Sequence, residues 1–288
     1  MPEDPIASDA PILVSVLVRR KPVTTPVEAP LIDQDRPPIV SREEFRRRFG
    51  ADPADMDRVS EVLSGLGLKL VESDSARRIL VFNGPASAAA AAFKVELAQY
   101  NVRGKTFRGF EGEVYIPAEP EGLVEGVFGL DERPQSEPRL RRFTEAGGPT
   151  AQPRNVKALS PIDVAAAYQF PPNAIGTGQT IGIIEFGGGF LDTDTNAFFS
   201  GLHMNVPTVT AVSVDTATNN PGTDADSEVA LDIQVAGGCA PGANIVVYFA
   251  PNTDAGWIDA CTTAIHDTTN DPSVISIRWV FPRMPGQR

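Results

Sequence analysis

The chain has 288 residues, 42% hydrophobic and 22% charged, with a net charge of −12 and a pI near 4.7. That is the composition of a globular protein long enough for two ordinary domains. The acidic balance argues against nucleic acid and anionic membrane surfaces as partners. The only two cysteines, Cys239 and Cys261, make neither a metal site nor a disulfide framework and read as small core residues.

The acidic start MPEDPIASDA runs into the apolar stretch Ile12–Val18. That stretch is too short to span a membrane and lacks the basic front of a signal peptide, so it reads as a strand. Asp52 and Pro53 supply the N-cap and first position of a helix through about Leu66, which Gly65 and Gly67 end. Leu68–Glu72 and Arg77–Asn83 read as strands around a turn, the alanine-rich Pro85–Phe93 as a helix, and Val95–Tyr100 as a strand. The order β-α-β-β-α-β predicts a ferredoxin-like α+β domain over residues 1–140. Arg139–Lys157 has the Gly, Pro and basic content of an exposed linker, so 141–157 is expected to join the two domains and to be nicked.

Residues 158–288 alternate strands with helices. Thr180–Ile184, Thr208–Val214, Asn244–Phe249 and Ser273–Ile277 read as strands. Asp192–Leu202, Asp224–Ala236 and Asp254–Asp267 read as helices, with Asp224 or Asp226 near the N-cap of the second. The pattern predicts an α/β domain with a parallel sheet, whose ligands sit at the carboxyl ends of the strands. Glu185 and Trp279 lie just past two such ends.

Charge divides unevenly. Residues 1–150 carry 20 Lys and Arg against 24 Asp and Glu, and residues 151–288 carry 5 against 13. Between residues 158 and 277 there is no Lys or Arg at all. Such a segment repels itself at neutral pH and loses that repulsion as its carboxylates protonate, near their ordinary values of about 3.9 and 4.3. The second domain therefore reads as built to work in acid.

The run GGGF at 187–190 follows a strand, but consecutive glycines do not make a dinucleotide loop. There is no G-x-S-x-G, P-loop or H-E-x-x-H, and His203 and His266 read as surface or structural residues. The carboxylates Glu228 and Asp232 remain, four apart on a helix whose other residues are mostly apolar. That spacing puts both on one face. An arbitrary acidic pair of this kind is a solvated face. Here Val229, Ala230, Leu231, Ile233, Val235 and Ala236 leave only a narrow polar stripe, which implies burial. Two close buried carboxylates cannot both ionise easily, which suits proton transfer in acid.

The same helix, followed by AGGCAPGANIVVYFAPNTDAGWIDACTTAIHD and DPSVISI, closely resembles the sedolisins, the serine-carboxyl peptidases, and most of all their kumamolisin branch. The resemblance runs from about Leu159 to Ile277, and residues 1–140 are similar to that family's activation prodomain. It implies a prodomain followed by an incomplete subtilisin-like parallel-sheet domain, and a secreted acid endopeptidase. It makes Glu228 the general base toward a Ser nucleophile and Asp232 the partner that orients it, with Glu185 and Trp279 extending the network. It implies protein or peptide substrates, an intramolecular prodomain partner, and neither nucleic acid nor membrane. The nucleophile, in a Gly-Thr-Ser context, the oxyanion Asp and the family's calcium site are expected beyond residue 288, so no cofactor is expected within the chain.

The end departs from the family pattern, which continues Ser-Trp-Gly and then Pro-Glu-Asp. Here RWVFPRMPGQR brings three arginines in 11 residues. A one-base frame shift turns codons for PEDAWTA into PRMPGQR, so residues 278–288 read as out of frame, and Trp279 as sharing the family position by chance. On this view the sheet is incomplete, exposing Thr180–Ile184, Asn244–Phe249 and Ser273–Ile277 on at least one side, and the chain is poorly soluble alone. The alternative to a peptidase precursor is an inactive fragment acting only as prodomain chaperone or inhibitor.

Overall fold

A computed structural model describes residues 2–22, 40–136, 159–171 and 173–279. The expected linker and processing region, and the tail from residue 280 onward, lie outside the described residues. The chain divides into two compact units, Met1–Pro134 with Asn252–Ile258, and Gln135–Pro251 with Asp259–Arg288.

The first unit holds β1 (Pro2–Pro5), β2 (Pro11–Val18), α1 (Arg42–Phe49), α2 (Pro53–Gly65), β3 (Lys69–Asp74), β4 (Ile79–Pro85), α3 (Ala86–Phe93), β5 (Ala98–Val102), β6 (Lys105–Gly109) and β7 (Val124–Phe128). Helix α2 starts where its cap predicts: the Asp52 carboxylate accepts from the Ala54 amide at 2.9 Å. It stops at two glycines, the second of which, Gly67, takes φ +92. Strands β3, β4, β2 and β7 form an antiparallel sheet in that order. Alternation along β2 puts Ile12, Val14, Val16 and Val18 on one face, all buried. They form one core with Met56, Val59 and Leu63 of α2 and Ala86, Ala89 and Phe93 of α3, each set spaced three and four apart.

Two corrections follow. The strand expected at Val95–Tyr100 starts three residues later, and it does not join this sheet. Lys94 ends α3 in the left-handed conformation (φ 52), Val95 and Leu97 go into the core, and β5 pairs with β1 and β6 in a separate sheet. The fourth place beside β2 is taken by β7.

The second unit holds α4 (Pro161–Ala167), β8 (Thr180–Glu185), α5 (Asp192–Gly201), β9 (Val209–Ser213), α6 (Asp226–Cys239), β10 (Asn244–Phe249), most of α7 (Asp254–His266, whose first turn groups with the first unit) and β11 (Val274–Ile277). The four strands pair in parallel in the order β11-β8-β10-β9. Ile183 of β8 and Ile245, Val247 and Phe249 of β10 share one face with Phe199 of α5 and Val229 and Ile233 of α6. On the other face Ile184, Val246 and Tyr248 are buried as well. The expected exposure of β8 and β10 therefore does not occur, because each has a strand on both sides. Of the three strands expected to be exposed, β11 alone lies at an edge, where Val274 is 58% and Ile277 36% exposed; β9 forms the other edge.

Candidate active site

Helix α6 presents Glu228, Val229, Asp232 and Ile233 as one buried stripe, and the opposite side is open, with Val235 43% exposed. The acidic pair is thus buried as expected, but on a helix with one wet face. No side chain caps α6: its N-cap is Ala225, flanked by Asp224 and Asp226 as expected. Asp226 is the first helical residue and its carboxylate serves the loops instead. It accepts from the amides of Gly189 (3.0 Å), Gly222 (2.6 Å) and Thr223 (3.1 Å). Burial pushes this carboxyl up, and the hydrogen bonds from Gly222, Thr223 and Gly189 outweigh it, so it lies below the usual range.

The GGGF loop does a packing job here. Gly188 has φ +76, and a Cβ on Gly189 would stand 2.4 Å from the Pro221 nitrogen. The Gly189 and Phe190 amides are engaged by Asp226 and Asn219. The loop after β8 is thereby tied to the turn that starts α6, which seats the helix over the strand.

Alternation along β8 places Glu185 on the same face as Ile181 and Ile183, the face covered by α6. Glu185 is 0% exposed. Its Oε2 accepts from Trp279 Nε1 at 2.8 Å, and its Oε1 has no hydrogen-bond partner among the described residues. Burial pushes the Glu185 carboxyl up to about 8, against the Trp279 hydrogen bond and with help from Asp232 and Glu228. Burial therefore favours its protonated form. The Trp279 ring is buried and meets Phe186 edge to face, 5.6 Å between centroids.

Ile277 of β11 pairs with Ile184 of β8, so the next residue, Arg278, comes level with Glu185. Its guanidinium reaches α6, with Nε 3.3 Å from Glu228 Oε1 and Nη1 donating to Asp232 Oδ1 at 3.1 Å. Burial raises the Asp232 carboxyl, and the Arg278 hydrogen bond and charge oppose that. Glu185, Glu228, Asp232 and Trp279, each singled out from sequence, thus converge at the carboxyl end of β8 and β11 beside α6. Arg278 is the residue that sequence reading missed as a partner. It is the first base after a long basic-free stretch and the first residue of the segment that reads as out of frame.

Cys239 and Cys261 are free, half-buried thiols outside this group. His203 is exposed. Among the described residues no cluster of three or more His, Cys, Asp or Glu could hold a metal ion, and no helix is long and apolar enough to cross a membrane.

Residues 3–133 match the family described as the activation domain of pro-kumamolisin. The chain is 43% identical to kumamolisin of a Bacillus species over 96% of its own length and 52% of that protein's. These matches are consistent with a sedolisin-family proenzyme. The chain is also 26% identical to tripeptidyl-peptidase sed5 of Aspergillus fumigatus, over 84% of this chain and 46% of that one. To sedolisin of a Pseudomonas species it is 22% identical, over 84% and 42% respectively. The chain therefore spans about half the length of the curated relatives it matches, and those relatives are serine-type peptidases.

Proposed function

We propose that the chain is precursor sequence of an acid-active serine-carboxyl endopeptidase, in which residues of the first unit act as an activation prodomain and Glu228 is the general base. The observation that supports this most is the burial of Glu228 and Asp232 together, one helical turn apart, at the carboxyl end of a parallel sheet. A carboxylate in the place of histidine keeps a useful basicity in acid, where imidazole is already protonated. Asp232 orients Glu228, and one proton passes between Glu228, a Ser nucleophile and the leaving amine. That Ser belongs to a Gly-Thr-Ser context, which does not occur in this sequence. Glu185 and Trp279 extend the network.

The sheet order β3-β4-β2-β7 with two helices on one face supports a ferredoxin-like reading of the prodomain, β7 serving as its fourth strand. The parallel β11-β8-β10-β9 sheet supports a subtilisin-like one for the second unit. An extracellular location and protein or peptide substrates go with the reading.

A second reading, a non-catalytic product acting as chaperone or inhibitor, is favoured by Arg278, which occupies the acidic pair. The two separate by incubating the purified chain with casein at about pH 3–5. Cleavage together with release of the first unit, both lost in Glu228→Ala, supports the peptidase. Absence of turnover with inhibition of a full-length relative supports the second.

A further inference from the structure

We propose that Arg278 is an internal guanidinium ligand of the Glu228–Asp232 pair, a latch that holds both carboxylates until the pair is protonated. The side chain leaves the end of β11 one residue past the Ile277–Ile184 register and crosses to α6. Its Nε stands 3.3 Å from Glu228 and its Nη1 3.1 Å from Asp232. Two nitrogens of one planar fork therefore meet two carboxylates a helical turn apart. A lysine ammonium is a point charge and does not span that distance in the same way.

The need for a cation here is physical. The side chains of Glu228 and Asp232 are 1% and 8% exposed. Two carboxylates so close and so dry repel each other and lose hydration. The stretch from 158 to 277 contains no Lys or Arg to offset them. The groups facing the guanidinium are Glu228 and Asp232 from α6 and Glu185 from β8. Glu185, pushed up to about 8 by burial and hydrogen-bonded to Trp279, feels the Arg278 charge but is the weaker competitor for the cation. Beside the pair lies a cleft of about 530 Å³, lined by Ile181, Leu231, Val235, Ala236 and the end of β11. Arg278 itself is 37% exposed, so it has room to swing out.

A guanidinium keeps its charge across the whole pH range of interest. The latch therefore opens from the carboxylate side: protonating the pair removes both attractions and frees Arg278. The inference rests on the peptidase reading only for its consequence, that a clamped pair is not free to take a proton from a nucleophile.

The test is a carboxyl-carbon NMR titration of the ¹³C-labelled full chain, wild type against Arg278→Ala. One carboxyl of the pair is expected to titrate at least about one pH unit higher in the variant, a tenfold gain in proton affinity. Millimolar ethylguanidinium, filling the vacated place, is expected to bring it back. Arg278→Lys, expected to give a smaller upward shift, is read in its place if the alanine variant loses its cooperative melt. Titrations of the variants that superimpose on wild type overturn the latch, as does an Arg278→Ala shift that ethylguanidinium leaves unchanged. The readout needs no turnover, so that failure leaves the peptidase reading standing, and a failure to cleave casein leaves the latch standing.

Discussion

Glu185 is where burial and charge conflict most directly. Its carboxyl is fully enclosed, holds one hydrogen bond from Trp279, and faces two other acids. Its folded pKa, about 8, lies above its ordinary 4.5. A raised carboxyl contributes its full share to stability below the unfolded value and loses it as pH rises through the folded one. The expected loss across that window is several kcal/mol, at about 1.4 kcal/mol per pH unit. Glu185→Gln keeps an acceptor for Trp279 and cannot ionise. It is expected to match wild type near pH 4 and to be more stable by about 2 kcal/mol or more at pH 8. Urea unfolding followed by tryptophan fluorescence measures this, and parallel pH slopes in the two chains would show that Glu185 bears no ionisation cost. Sequence put Glu185 just past a strand. It did not reveal that the pleat turns this residue under α6.

At the scale of elements, some helix starts are coded locally and others are not. Asp52 was legible because Asp-Pro is a strong local signal, and Asp52→Ala is expected to destabilise the first unit by about 1 kcal/mol in thermal melts. Helices α1 and α4 carry equally local signals. Ser41 accepts from the Glu44 amide at 3.1 Å, and Ser160 and Asp163 form a reciprocal capping box. Both serines stand three residues before an acid, a pattern that marks a helix start. The start of α6 has no such local code. It is set by Asp226 reaching loop amides, and by glycines that let the loop after β8 come close. Gly189→Ala puts a Cβ against backbone atoms of Asn220 and Pro221. The expected cost is about 1–3 kcal/mol, measured as a lower urea midpoint for the second unit.

For the whole molecule, charge distribution and sheet edge decide behaviour. The basic-free stretch and the raised Glu185 both favour the second unit as pH falls from neutral. Asp226 and Asp267 work the other way. Each is pushed up by burial but held below the usual range by several hydrogen bonds, so each loses its contribution as pH falls through its folded value. The melting temperature of the second unit is therefore expected to peak on the acid side of neutrality, and a peak at pH 7 or above would contradict this. Strand β11 offers an exposed edge among the described residues, with Val274 more exposed than Ile277. Val274→Lys, a charge on an open edge, is expected to reduce self-association in light scattering. An equally monodisperse wild-type chain would count against that.

Local physics made much of this molecule readable in one dimension. Apolar runs located the parallel strands of the second unit and β2, Asp-Pro and paired glycines bounded α2, and the i,i+4 spacing of Glu228 and Asp232 placed them on one face of α6. These features depend on neighbours within a few residues, which the order of amino acids states directly. The partners of a buried charge are stated nowhere locally. Arg278 lies 46 residues from Asp232, and Trp279 lies 94 from Glu185. They meet because parallel pairing aligns the ends of β11 and β8 and α6 lies over that end. The same holds for β5 and β7, whose sheet membership was settled by a left-handed turn at Lys94 and by which strand could cover the open edge of β2.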